Sequence, residues 1–455
     1  MKLVKMSLAA AVLLGASAFA IDNIKVSGDA KLYYGTNGAD VGTTASGIEG
    51  ALTNNGTGGD LFSKGNSAAD TAVRIGMTGD LTKGVSFGVT GYAVSTLGLE
   101  NNLVSNTWTG AHGATTNNSS GGAQVDDTMW IGEAWMAGTA GKTTAKAGRM
   151  ELDTPLAYSE KWSIVPNTFE GLVVLNQDIP DTTLVGAWVG KGNGVNTLGN
   201  NSRGLGGIDN NTSGVGIDGI MGKGANFNTF ANDGAYAAAI INNSLKFLTA
   251  QAWYYNVVDV ADAYWLQADW DCQLVQGVKV GVQYADMAVK GRVERVSTSI
   301  KDSSAYAVKL AYEGIKDLKL SAAYSEADKD GTLKIANVAT DNLGIAQSKL
   351  YTEAYMNYGY VGAAGAESYM VAAEYNAGFA TLGAQYTDVS VGLTNAGNRL
   401  VSGYKENVNM TEYTLTATKS FGALDATLAY YNTDATDQNN GKGYDSVLAM
   451  LKFNF

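Results

Sequence analysis

"LAMLKFNF", Leu448 to Phe455, ends the chain, and its reading decides the fold. Side chains of a strand alternate between faces, so Val447, Ala449, Leu451, Phe453 and Phe455 lie together, opposite Ser446, Lys452 and Asn454 (with Leu448 and Met450). The first face is apolar to the last residue. A soluble sheet would have to cover it with a second layer, whereas a membrane barrel turns it toward lipid.

The other end of the chain supports the barrel. In "MKLVKMSLAAAVLLGASAFA", Lys2 and Lys5 form a basic start, Leu8 to Leu14 a short apolar core, and Ala18-Phe19-Ala20 a small-x-small cleavage site. Residues 1–20 are therefore expected to be a cleaved export signal, and residues 21–455 a single barrel domain. Beyond the signal there is no run of about 18 apolar residues, so no helix is expected to span a membrane. A barrel without free edges can, because every backbone N–H and C=O is paired between strands.

Composition narrows the function. The chain has 57 Gly and 24 Tyr but only 3 Pro, 1 Cys and 1 His. Removing Lys2 and Lys5 leaves 29 basic residues (31 − 2) against 43 acidic, a charge near −14 that argues against nucleic acid as a partner. A lone cysteine, Cys272, excludes an internal disulfide, and its parity puts it on the lipid face as a small apolar residue. The lone histidine, His112, sits in "GAHGATTNN", a setting for a mobile surface side chain rather than a catalytic base. Without it no Ser/His/Asp set can be assembled, so no enzymatic activity and no cofactor are expected.

Alternating runs of roughly ten residues between turn signals give eighteen strands. They fall at 23–36, 68–80, 83–97, 127–139, 142–152, 168–179, 181–191, 233–243, 245–258, 261–274, 276–289, 302–313, 316–326, 366–376, 377–388, 409–420, 423–433 and 443–455. Connections alternate between very short and long Gly/Asn/Ser-rich ones. "KLYTEAYMNYGY", Lys349 to Tyr360, is placed in a loop, since a nineteenth strand would break that alternation. Trp253, Tyr254, Tyr255, Tyr264 and Trp270 gather near strand ends, as interfacial girdles do. The expected fold is an all-β transmembrane antiparallel barrel.

Parity also predicts the lumen. Asp29, Lys31, Arg74, Asp269, Asp271, Lys279, Lys309, Lys319, Glu374 and Lys452 fall opposite apolar faces and are expected to line water. In 127–139, Glu133 faces inward only if Trp130, Ala134 and Met136 face outward. Eighteen strands leave an aqueous channel, so the expected interior is wet and charged.

All three prolines lie in "AGRMELDTPLAYSEKWSIVPNTFEGLVVLNQDIPDTTLVGAWVGKGNG", Ala147 to Gly194. Proline is excluded from central ladders, so Pro155 and Pro166 mark a structured loop and Pro180 a short turn. This stretch resembles the region after the fifth strand of the outer-membrane porin D family, and more closely that of the Campylobacter-type major outer membrane porins of epsilonproteobacteria. The resemblance implies an eighteen-stranded barrel whose third outer loop, about 153–167, folds inward as the constriction, in a homotrimer. Carried over by that resemblance, Arg149, Asp153, Glu160, Lys161 and Glu170 are the candidates for the narrow zone. Porin D members that take up basic amino acids use a ladder of arginines; here Arg74 and Arg149 are the main wall arginines, which leaves that specificity unsupported. The terminal Phe resembles the signal read by the barrel-assembly machinery.

The combined expectation is a bacterial outer-membrane channel for passive diffusion of small hydrophilic solutes and inorganic ions, in contact with outer-membrane lipid. Acidic loops (Asp126, Asp127, Asp328, Asp330, Asp434, Asp437) predict a mild cation preference that salt screens. Minor motifs carry less. "GVGIDG" (Gly214 to Gly219) lacks the strand-turn-helix of a nucleotide site. "EADKDG" (Glu326 to Gly331) is a degenerate Ca²⁺ loop, a weak possibility only. Asn117 and Asn211 head Asn-x-Ser/Thr triplets of a kind frequent in Asn-rich loops. The competing function is a surface adhesin acting through loops near 41–67, 98–126, 192–232 and 327–365, which read as polar and poor in large apolar residues.

Overall fold

A computed structural model describes residues 21–40, 60–99, 103–104, 116–117, 124–125, 128–194, 227–229, 234–296, 300–340, 346–392 and 407–455. Eighteen long strands form the barrel: β1 Asp22–Asn37, β2 Ser67–Thr82, β3 Val85–Ser95, β4 Thr128–Ala140, β5 Thr143–Met150, β6 Phe169–Asn176, β7 Thr182–Gly192, β8 Ala235–Asn242 and β9 Leu248–Val257 make one half. The other half is β10 Ala261–Asp271, β11 Val278–Val289, β12 Ser303–Ile315, β13 Leu318–Ala327, β14 Ala366–Asn376, β15 Thr381–Val391, β16 Val408–Phe421, β17 Leu424–Ala435 and β18 Tyr444–Asn454. Each pairs antiparallel with its sequence neighbours, and β1 pairs with β18, from Asp29↔Asn454 to Asn37↔Ser446, which closes the ring. A two-residue segment, Asn228–Thr229, pairs antiparallel with Gly192 and Lys191 at the end of β7.

Every expected strand is present. Those spans run past their ladders by a few residues in places, because turns such as Gly84 (φ +76) and Gly422 (φ +68) use backbone that only glycine adopts freely. Eight short turns and both termini of the barrel lie at one end, and the longer loops, with the short β9–β10 connection at 258–260, at the other; in outer-membrane barrels short turns face the periplasm.

The outward face is the apolar one. Val26, Ile75, Val282, Leu310, Val371, Leu415, Leu428, Leu451 and Phe453 are all exposed, an apolar band of the kind a membrane barrel turns toward lipid. The terminal strand follows its expected parity: Leu451, Phe453 and Phe455 face out and Ser446 is buried. Phe455 is fixed by reciprocal backbone bonds with Gly28 (N to O 2.7 and 3.0 Å), and its ring lies where a side chain on Gly28 would be. Cys272 lies just past the end of β10, partly covered.

Two expectations of side-chain direction need correction. In β4 a bulge opposite Thr90 and Gly91 inserts Gly132 and reverses the parity along the strand. Met129 and Ile131 face out before it, and Ala134 and Met136 after it. Glu133 therefore faces inward while Trp130 does too, packed edge-on against Tyr92 with ring centroids 5.6 Å apart. Of the aromatics assigned to girdles, Tyr254 and Tyr264 face lipid, but Trp253 and Tyr255 point into the barrel, stacked at 6.0 Å.

Candidate functional site

The site is built by two loops that enter the barrel. The third outer loop, 151–168, is a compact hairpin. Ser159 N–H donates to Leu152 O (2.8 Å), Thr154 Oγ1 donates to Ala157 O (2.7 Å), and Asp153 bridges Tyr158. Asn167 closes its base, accepting from Glu160 N–H (2.8 Å) and donating to Tyr158 O (3.3 Å). Local side-chain bonds of this kind fix a loop without secondary structure.

The seventh outer loop, 328–365, corrects the view of 327–365 as a polar surface loop. It folds inward against the wall and the third loop, burying Leu333, Ile335, Leu350, Met356, Tyr358, Tyr360 and Val361. "KLYTEAYMNYGY" is indeed no strand. It lies along the inner wall: Gln283 of β11 accepts from Tyr351 N–H (3.0 Å) and donates to Lys349 O (2.9 Å), and Tyr351 Oη donates to Asp269 of β10 (2.7 Å). Glu412 of β16 accepts from three consecutive backbone N–H groups, Tyr355 (2.7 Å), Met356 (3.2 Å) and Asn357 (2.9 Å), and from the Asn357 amide (2.8 Å). These are charge-assisted bonds made in a buried place, worth about 1.5–3 kcal/mol each. Replacing Glu412 by Ala should release this segment and produce larger, noisier single-channel currents, with Glu412→Gln, which keeps one acceptor oxygen, in between. Currents indistinguishable from wild type would show that the tether is redundant.

The two loops are locked to each other. Asn337 donates to Tyr158 O (2.9 Å) and Glu160 Oε1 (3.1 Å) and accepts from Tyr158 N–H (3.1 Å); Val338 N–H donates to Leu156 O (2.9 Å). Thr340 also donates to Glu160, and Lys349 pairs with Asp153 while lying 4.6 Å from the Tyr158 ring centroid. Together with Trp253, Trp265 and Met287 of the wall, the loops form an apolar mass across the loop-end half of the lumen. The interior is thus not uniformly wet. An open space of about 660 Å³ occupies the turn-end half, bordered by Asp269, Asp271, Lys279, Lys309, Glu313, Lys319 and Glu374.

The sequence-predicted residues fall into five groups. Asp269, Lys279, Lys309 and Glu374 face this vestibule as ion pairs: Lys279–Glu313 (2.9 Å), Lys309–Asp269 (3.8 Å) and Lys319–Glu374 (2.7 Å). Lys31 and Arg74 face inward on β1 and β2, with Arg74 held by Asp29 (2.5 Å) and Glu151 (3.3 Å). Asp153 and Lys161 are the water-exposed charges of the third loop, their side chains 73% and 69% accessible, and Lys161 lies 3.8 Å from Glu151. Glu160 is different, buried in the seam between loops, where Trp162 Nε1 (2.9 Å), Asn337 and Thr340 donate to it. Burial pushes its carboxyl up despite those bonds.

Arg149 and Glu170 correct the narrow-zone assignment most clearly. They pair with each other (2.6 Å), but Arg149 stands opposite the outward Ala134, and Glu170 is two residues before the outward Leu172. Both lie on the outside of the barrel at its loop end, where Arg149 also stacks on Phe227 at 3.6 Å. Residues that sequence reasoning missed are Glu151, Asn337, Lys349, Glu353 and Glu412. Among the described residues no cluster of His, Cys, Asp or Glu is placed to hold a metal ion. In "EADKDG", Glu326 instead accepts from Tyr306 (2.8 Å) and Tyr324 (3.2 Å). His112, Asp126, Asp127, Asn211, Gly214 to Gly219 and most of the loops at 41–67, 98–126 and 192–232 lie outside the described residues.

Glu353 gives the seam a pH dependence. Its carboxylate accepts from Ser348 N–H (3.1 and 3.0 Å), and Glu160 and Glu412 stand nearby; desolvation, with these like charges, raises it well above the ordinary carboxylate value. The proton is therefore held more tightly in the folded seam than in a released loop, so this stabilisation is complete at acid pH and is lost as pH rises through the raised value. Channel noise should grow on the alkaline side, and Glu353→Gln should flatten that response. An unchanged profile in the variant would remove Glu353 from the cause.

Comparison of the sequence with protein-family models and with curated proteins gives no match. Solved structures do match. OccK8 (OprE) of Pseudomonas aeruginosa is 14% identical with a TM-score of 0.66, over 95% of this chain and 98% of that one. OprD of the same organism is 12% identical (TM-score 0.65, 95% of each chain), and OpdK, solved with vanillate, 11% (TM-score 0.65, 95% and 98%). Identities this low speak to architecture alone, and over nearly its whole length this chain has the closed eighteen-strand fold of the OprD/Occ porins.

Proposed function

We propose that the chain is an outer-membrane porin through which small hydrophilic solutes and ions diffuse down their gradients. The observation that carries this reading is the set of water-exposed charges, Asp153 and Lys161, on a loop held inside a barrel whose outside is apolar. Its likeness at Ala147 to Gly194 to the Campylobacter-type major outer membrane porins supports the same reading, with export by a cleaved signal, delivery by the barrel-assembly machinery and association into a homotrimer. No covalent chemistry is involved.

Asp153, Lys161, Glu151 and Arg74 are the charges we assign to the narrow passage, with Lys31 beside them and the ion pairs of β10–β14 beyond. β1 and β10 stand nine positions apart in the ring of eighteen, so the Lys31/Arg74 wall faces the Asp269/Asp271 wall across the lumen. A polar solute passing between them is oriented by both. The acidic excess of the chain, 43 acidic against 31 basic residues, supports a mild cation preference.

Single-channel recording of the mature protein in a planar bilayer tests the reading, with reversal potential measured in a salt gradient. Stepwise currents with cation preference are expected. Lys161→Glu should strengthen that preference several-fold, since a unit charge at about 4 Å changes an ion's energy by about 1 kcal/mol even in water. Folded barrels that pass no current would overturn the function, and equal permeability to both ions would overturn only the selectivity.

A further inference from the structure

At the loop end, the outside of the wall from β4 to β8 carries a cleft of about 680 Å³. Its floor is bare backbone: Gly148 on β5, Gly171 on β6, Gly190 on β7 and Gly234 just before β8 follow one another around the wall. A Cβ on Gly190 would stand 2.6 Å from the Trp188 ring, and one on Gly234 2.8 Å from its Nε1. The ring thus lies against backbone at one side of the cleft, where it is 40% exposed.

Charge borders the other side. Arg149, Glu170 and Lys191 stand directly across from one another on β5, β6 and β7. Arg149 is held in place: Nε and Nη2 donate to one Glu170 oxygen (3.2 and 2.6 Å), Nη1 donates to Ile131 O, and Phe227 covers its plane at 3.6 Å. A guanidinium has five N–H donors, so two are left for a ligand. Lys191 is exposed and has no ion-pair partner among the described residues. By contrast, Lys290 and Lys329, also at the loop end, lie 2.5 Å from Asp262 and 4.0 Å from Glu326. Two cations against one carboxylate make the cleft a place for an anion.

The position of the cleft selects the anion. The wall separates it from the lumen, so a solute inside the channel does not reach it. One step nearer the middle of the barrel, Met136, Leu172 and Trp188 face out, with Tyr236 across from Trp188. Aromatic residues above an apolar band mark the level of lipid headgroups, and at the loop end these belong to the outer leaflet. We propose that this cleft binds the phosphate-bearing sugar headgroup of an outer-leaflet glycolipid. The phosphate accepts from Lys191 and from the two open donors of Arg149, the C–H face of the sugar packs on Trp188, and the acyl chains descend over Met136 and Leu172. This rests on the outer-membrane placement proposed above and adds a site to it.

Native mass spectrometry of the full mature chain, titrated with diphosphorylated lipid A and with the same lipid after dephosphorylation, tests the site; circular dichroism checks the folding of every variant. Wild type should hold the phosphorylated lipid, and Lys191→Ala should weaken it at least about tenfold, the loss expected for one charge-assisted bond. Lys191→Arg should restore binding. Lys290→Ala removes an equal charge at the same end, from a lysine already paired with Asp262, and should bind as wild type does. Wild type that takes up no phosphorylated lipid would overturn the proposal. So would equal binding of the dephosphorylated form, binding untouched in Lys191→Ala, or an equal loss in Lys290→Ala. Displacement of the lipid by inorganic phosphate would also overturn it, because the site would then serve a free anion. Planar-bilayer conductance of the same samples separates this site from the porin reading: the cleft lies outside the passage, so its failure leaves the currents intact, whereas failure of the porin reading removes them whether or not lipid binds.

Discussion

Excising Thr332–Ala364 and joining Gly331 to Gly365 through a short Gly/Ser link should raise single-channel conductance several-fold and abolish size discrimination. The ends are already neighbours, since Gly365 N–H donates to Asp328 O at 2.9 Å, so the barrel can reclose without strain. What is removed is the inner-wall segment held by Gln283 and Glu412 and half of the mass that fills the loop end. The third loop would keep its own hairpin bonds but lose Asn337, Thr340 and Lys349. If 328–365 were instead a surface loop concerned with adhesion, the excision would leave conductance unchanged. That outcome would contradict its position in the lumen.

Arg74→Ala should produce the largest loss of stability of any single lumen substitution. Arg74 donates Nε and Nη2 to one Asp29 oxygen (2.9 and 2.5 Å) and reaches Glu151 at 3.3 Å, tying the wall to the start of the third loop. Asp29 is 6% exposed, and stripping a buried carboxylate of its partner costs about 3–5 kcal/mol. Urea unfolding in lipid vesicles would read this as a lower midpoint, and the same variant should be more cation-selective because Asp29 and Glu151 lose their counter-charge. Arg74→Lys keeps the charge without the forked geometry and should recover the selectivity more fully than the stability. A midpoint unchanged in Arg74→Ala would mean that Asp29 is solvated in its absence.

The sequence carried the architecture further than the site because the two are encoded at different ranges. Period-two alternation and glycine-rich turns are local, and all eighteen strands followed from them. Side-chain direction is local only until a bulge intervenes: one added residue at Gly132 lets Trp130 and Glu133 both face inward, which strict alternation forbids. Arg149 and Glu170 misled for another reason. Charge implies water, and near the rim of a barrel water or protein can lie outside as well as within. The seventh loop did leave a trace. "KLYTEAYMNYGY" is too rich in Tyr, Met and Leu for a solvated loop, and once it is denied a place in the sheet it needs cover elsewhere. Nothing in the sequence says that Glu412, some 55 residues further on, supplies the cover's anchor.

The join between β1 and β18 also governs the order in which the molecule can form. Asp29↔Asn454 and its neighbours bring together residues separated by almost the whole chain, whereas every other ladder joins consecutive strands. Hairpins can zip early, but the last seam must wait until the final strand is made and brought to the first. Until then both edges are unpaired templates for other chains. Folding of this protein is thus a race between ring closure and aggregation, and the apolar last strand, ending in Phe455, is the element on which the race is decided.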